Sequence, residues 1–185
     1  MSFSHCKKAL FALSALILAA GLQGCTPSVS MSKKREPMIP REETASAQFE
    51  VAFAQEREAK GFFDEEKRNE ELKTAIIAYT KVEAWFPNDD RYTPVAGLKV
   101  AEIHEELEDF EQAEANYRRL LEVYPNDEEI RAYALLGVGR TLDLQDRPEE
   151  AQVFYKLLID EFSTTTNPRY KELVEDARNR YRQIR

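Results

Sequence analysis

The chain has 185 residues, with 34 acids against 26 lysines and arginines and a formal charge of −8. That length fits one domain, and the acidic balance excludes a binder of nucleic-acid backbones, which needs a basic face. Aromatic residues make up 10%, enough to build a core that a disordered chain lacks. The two cysteines, Cys6 and Cys25, lie at the N-terminal end, so neither a disulfide nor a cysteine metal site is expected in the body.

In chain order, Lys7 and Lys8 precede an apolar run from Ala9 to Leu22. Basic then apolar is the order of a secretory signal, and the run is short for a membrane span of ~20 residues. Leu22-Gln23-Gly24-Cys25 follows and resembles the bacterial lipobox. The resemblance implies a lipoprotein signal peptide over 1–24, cleaved before Cys25. It also implies a diacylglyceryl thioether on Cys25 and a fatty acid such as palmitate on the new amino group. Three acyl chains, at ~0.8 kcal/mol per buried methylene, hold a protein on a membrane. By the enteric sorting rule, Thr26 lacks the aspartate that retains lipoproteins in the inner membrane, which favours the outer membrane. Cys6 leaves with the signal.

Residues 25–43 read as the lipidated cysteine and a flexible tether, rich in proline and serine and without periodicity. Such a tether reaches ~25 Å on average and ~60 Å when taut. Lys33-Lys34-Arg35 stands beside Glu36, Glu42 and Glu43, a balance that reads as solvated tether in preference to a head-group patch.

From Thr44 the pattern is helical. Apolar spacing predicts helices over 44–60, 70–86, about 94–107, 111–124, 128–145, 148–162 and 168–183. Phe62 to Asn69 reads as a connection. Pro87 and Pro125 stop their helices, while Pro148 and Pro168 sit in first turns, where a missing N–H costs nothing. One stripe recurs: Ala75, Ala113 and Ala151 are 38 apart, as are Tyr79, Tyr117 and Tyr155. A fixed period of this size signals stacked repeats. Ala101, Gly139 and Ala177 keep the same period twelve residues upstream of the alanine position. Glycine in mid-helix costs ~1 kcal/mol against alanine, which close helix packing at Gly139 would offset.

A small residue, alanine twelve on, an aromatic four on and proline eight on resembles the tetratricopeptide repeat. Ala101, Ala113, Tyr117 and Pro125 match fully; Gly139, Ala151 and Tyr155 match with Ser163 in place of proline. Ala75, Tyr79 and Pro87 match the second half, and Phe63 falls at the small position, which points to an insertion in the first pair. The resemblance implies an all-α, right-handed superhelical solenoid over 44–185, with about three repeats plus a final helix. The usual repeat is 34 residues, so the four extra are expected in a longer inter-repeat turn. A lipobox, a tether and these repeats together look like two bacterial envelope families. One is the repeat lipoprotein of the outer-membrane β-barrel assembly machinery; the other is the periplasmic repeat protein of the Tol–Pal system. The expectation is a lipid-anchored scaffold for protein–protein interactions in the cell envelope, serving outer-membrane protein assembly. The alternative is a Tol–Pal-like or cell-wall-associated adaptor.

No catalytic set emerges, and no cofactor is expected beyond the lipid on Cys25. His104 is the one histidine after Cys25 and reads as a packing residue. Pairs such as Glu105-Glu106 and Glu149-Glu150 read as solvated helix faces in so acidic a chain. The family resemblance places Leu98, Glu102, Glu105 and Glu106, then Tyr133, Leu136, Arg140 and Asp143, then Val174, Arg178 and Tyr181, on the concave side. That groove is acidic at one end and basic at the other, suited to an extended peptide or a segment of an envelope protein. The basic tail, Arg178 to Arg185, reads either as complement to a helix dipole or as a docking surface for an acidic partner. The identity of the partner and the oligomeric state stay open.

Overall fold

The computed structural model describes residues 37–184. The signal segment, Cys6, Cys25, Lys33-Lys34-Arg35 and most of the tether lie outside the described residues. Among those described there are seven helices and no strand: α1 (Ala45–Lys60), α2 (Glu65–Trp85), α3 (Tyr92–Glu106), α4 (Phe110–Val123), α5 (Glu128–Leu144), α6 (Pro148–Phe162) and α7 (Pro168–Gln183). Each packs on the next, and α1, α3, α5 and α7 also touch one another in sequence. The result is three hairpins, α1–α2, α3–α4 and α5–α6, closed by α7.

The second helix of each hairpin buries one stripe. In α4 this is Ala113, Glu114, Tyr117 and Leu120; in α6 it is Ala151, Tyr155, Leu158 and Phe162. The first helices are buried on more sides, because each lies between the preceding hairpin and its own partner. Ala96, Val100 and Ile103 of α3 join a core with α1 and α2, while Leu98 and Ala101 of the same helix join the core that runs on to α7. Leu98 therefore packs inward, as do its equivalents Leu136 and Val174. All three were expected on the concave surface. They point into the seam because the helix turn that carries them is covered by the neighbouring hairpin.

Small residues set the helix separation. A methyl carbon on Gly139 would lie 2.4 Å from the Tyr155 ring, and one on Gly137 would lie 2.5 Å from the Tyr117 ring. The expected close packing at Gly139 is thus met by a tyrosine of its own hairpin. Gly137 does the same work between α4 and α5, and the 38-residue period does not mark it.

Three sequence expectations need correction. Helix α2 starts at Glu65, inside the supposed connection 62–69. The Asp64 side chain accepts from the Lys67 N–H at 2.7 Å, and Glu65 and Glu66 occupy the first turn, where the helix dipole favours acids. The inter-repeat turn after α4 is not lengthened: only 124–127 separate α4 from α5, since Asp127 caps the next helix by accepting from Ile130 N–H at 3.0 Å. Finally, the tether ends early. Gln48, with no exposed surface, accepts from Glu42 N–H at 2.9 Å and donates to the Pro40 carbonyl at 3.2 Å. Ile39 packs on the first core, and the Arg41 guanidinium lies 5.6 Å from the Trp85 ring centre. Residues 39–42 are therefore strapped to the helices.

The turns inside the second and third hairpins share a strained backbone. Glu108 and Asp146 have φ of 58° and 56°, the left-handed region that side chains disfavour. In both, the following N–H reaches back five residues: Asp109 to His104 O and Arg147 to Leu142 O, each at 2.9 Å. This is the Schellman arrangement, which favours glycine at the strained position. Glu108→Gly should raise stability by about 0.5–1 kcal/mol and the melting temperature by ~2–4 °C. Thermal unfolding monitored by circular dichroism checks this, and a lower melting temperature would contradict it.

Candidate functional site

The candidate surface is built on a register of the first helices. With fully buried Ala52 as the small residue of the first pair, one residue past each small position stand Phe53, Glu102, Arg140 and Arg178; four past stand Glu56, Glu105, Asp143 and Tyr181. The second set meets the hairpin tyrosines. Tyr79 Oη donates to Glu56 Oε2 at 2.6 Å, Tyr117 Oη to Glu105 Oε2 at 3.0 Å, and Tyr155 Oη to Asp143 Oδ2 at 3.4 Å. Burial first, then the facing carboxylate, raises all three phenols above their ordinary value. They remain neutral donors.

Glu105 is the junction. It accepts from Tyr117 of its own hairpin and from Arg140 Nη2 of the next at 2.7 Å. Burial opposes the charge of Arg140, but Glu105 outweighs burial and holds the guanidinium above its ordinary value. Arg140 Nε is buried without a hydrogen-bond partner. Together with Glu102, Glu106, Glu108, Phe110, Leu144 and Arg180, these two residues line a concavity of ≈ 610 Å³ that runs along α3, α5 and α7, with the start of α4 and the turn before it on its edge.

Four of the residues expected to bind a partner therefore meet here: Glu102, Glu105, Glu106 and Arg140. Tyr133, Leu136, Arg178 and Tyr181 do not line it. Tyr133 and Tyr181 pack against the second core, and Leu136 lies within it, 4% exposed, so it is withdrawn from any partner. The sequence reading missed Glu108, Phe110 and Leu144; Arg180 belongs to the basic tail offered there as a docking surface. Leu144 had a readable signal, an apolar residue beyond the buried stripe, and it is 53% exposed.

The expected acidic-to-basic gradient is largely neutralised from within. Glu102 pairs with Lys99 at 2.8 Å, Glu106 with Lys60 at 3.2 Å, Arg180 with Asp176 at 3.0 Å and Arg178 with Glu175 at 3.6 Å. What the concavity leaves open is the exposed Leu144 side chain, half-buried Phe110 and Glu108. His104 is half-buried, its Nδ1 3.3 Å from Asp109 Oδ2.

A family model of the tetratricopeptide repeat matches residues 94–137, from the first turn of α3 through α4 into α5. Seven consecutively packed helices and this match define an all-α, tetratricopeptide-like solenoid. Repeats of this kind are protein-interaction scaffolds that bind peptides or proteins. No curated protein matches the chain.

The carboxylate at the first tyrosine yields a pH test. Burial pushes the Glu56 pKa up, yet hydrogen bonds from Lys60 and Tyr79 outweigh it and leave the group below its ordinary value. A carboxylate whose folded pKa is depressed contributes stability above its unfolded value of 4.5, lost as pH falls through the folded value. The advantage of the native chain over Glu56→Gln should therefore shrink between about pH 5 and pH 3. Urea midpoints of both proteins across that range check it; a constant difference would contradict it.

Proposed function

We propose that the chain is a lipid-anchored, periplasm-facing scaffold of the bacterial envelope that holds a segment of another envelope protein in the α3–α5–α7 concavity. The observation that carries the binding half is Leu144, more than half exposed beside Phe110 in a hollow whose charges are mostly paired. Such a hollow suits an apolar side chain, with Glu108 left to orient its backbone or a neighbouring polar group. The N-terminal order of basic residues, apolar run and Leu22-Gln23-Gly24-Cys25 supports the anchor. Thr26 favours the outer membrane, and the likeness to the β-barrel assembly lipoprotein favours a part in outer-membrane protein assembly. The repeat stretch ending Tyr124-Pro125-Asn126 resembles the Tol–Pal repeat protein as well, so a Tol–Pal-like or cell-wall-associated adaptor is the second reading. Either way, anchoring confines the scaffold to the membrane plane and raises its effective concentration for partners there.

Labelling with radioactive palmitate should mark the native chain and not Cys25→Ala; equal labelling would sink the anchor. Leu144→Glu, at an exposed position, should keep the helical fold and reduce recovery of crosslinked partners at least five-fold. Partners recovered in equal yield would place binding elsewhere. Recovery of a β-barrel insertase favours the first reading, and of Tol–Pal components the second.

A further inference from the structure

The first hairpin differs from the other two in a way the concavity does not use. Its tyrosine lies 23 residues from its carboxylate, whereas the other two lie 12 from theirs. The remaining eleven residues are an insertion, and the helix ends locate it. Relative to Ala52, α1 runs three residues further than α3 and α5 run past Ala101 and Gly139. Relative to Ala75, α2 begins seven residues earlier than α4 and α6 begin before Ala113 and Ala151. One more residue lies in the turn. At 1.5 Å rise per residue, the hairpin is lengthened by roughly 5–10 Å. Ala52, buried completely, is thus the true small residue of this pair in place of Phe63.

The tip of this extension carries an aromatic pair that the other turns lack. Phe62 is half-buried, with the Lys67 ammonium 3.9 Å from its ring centre. Phe63 is fully exposed, at 105% of its reference surface. The fold gains no burial from it, and an isolated exposed aromatic flanked by polar residues has the form of an interface anchor. The corresponding turns, Leu107-Glu108-Asp109 and Gln145-Asp146-Arg147, contain no aromatic residue.

The surroundings of Phe63 select the partner. Asp64, Glu65 and Glu66 follow it directly and are all exposed. Asp64 is occupied as the cap of α2, but among the described residues Glu65 and Glu66 make no ion pair; Lys67, which follows them, lies over Phe62, and Arg68 is half-buried. An acidic collar is repelled by anionic head groups, which weighs against insertion into a lipid surface. It complements a basic rim. We propose that the extended α1–α2 hairpin is a second docking element, in which Phe63 enters an apolar pocket of a partner protein and Glu65 and Glu66 meet basic side chains around that pocket. This element acts independently of the α3–α5–α7 concavity.

The test places the photo-crosslinker benzoylphenylalanine at position 63 of the full chain in cells, with the same crosslinker at Leu144 as a separate report on the concavity. The expected result is a discrete protein adduct from position 63. Its yield should fall at least five-fold with Glu65→Lys/Glu66→Lys, and by less with Glu65→Gln/Glu66→Gln, while any Leu144 adduct is unchanged. The Asp64 cap is left intact in both variants, and circular dichroism verifies that each is helical. Four outcomes overturn the proposal: no adduct at position 63, an adduct to lipid, an adduct to a second copy of this chain, or a protein adduct indifferent to charge reversal.

Discussion

A tyrosine ring seated against a small residue is the constraint on which this structure turns. In the third hairpin the ring of Tyr155 occupies the space that a methyl group on Gly139 would fill. Its hydroxyl reaches Asp143, one helical turn further along the same helix. The ring fixes how closely the two helices approach, and the hydroxyl fixes their axial register, because a phenol must find a partner when buried. The same hydrogen bond recurs at Glu105 and Glu56. The tyrosine–carboxylate bond is thus common to all three hairpins, and stacking them brings the first helices side by side.

That stacking also decides the electrostatics. Carboxylates on the first helices are drawn into internal contacts, as Glu105 is by Tyr117 and Arg140. Ion pairs between partly exposed side chains contribute little to stability, roughly 0–1 kcal/mol each. Their larger consequence is for recognition: a hollow whose charges are satisfied selects by shape and apolar contact more than by net charge. Exposed Glu65 and Glu66, by contrast, stand together at the tip of the lengthened first hairpin, beside Phe63.

How much of this was legible in the sequence follows from what each element buries. The second helices were readable because each hides a single stripe, and one stripe leaves a period. The first helices hide more than one face, so apolar residues on the seam, such as Leu136, look like residues on a groove. The start of α2 was invisible to hydrophobic spacing, because the signals that begin it, Asp64 with Glu65 and Glu66, are polar. The strap over 39–42 depends on the buried amide of Gln48 holding two backbone groups, which composition does not announce. The insertion was readable as a misplaced Phe63, but not its position, which depends on Glu56 meeting its tyrosine as Glu105 and Asp143 meet theirs. The concavity was half legible: the family resemblance gave Glu102, Glu105, Glu106 and Arg140, whereas Glu108, Phe110 and Leu144 come from helix ends and a turn that follow no period.

A double-mutant cycle between Gly139 and Tyr155 tests the wedge most directly, with stability read from urea unfolding. Gly139→Ala alone should cost about 1–3 kcal/mol, since the added methyl meets a buried ring that has nowhere to move. In a Tyr155→Ala background that clash is gone, and the same substitution should cost nothing or stabilise, as alanine is the better helix former. A coupling of more than ~1 kcal/mol is the predicted result. Equal losses in both backgrounds would mean that the ring does not set the helix separation, and would contradict the account.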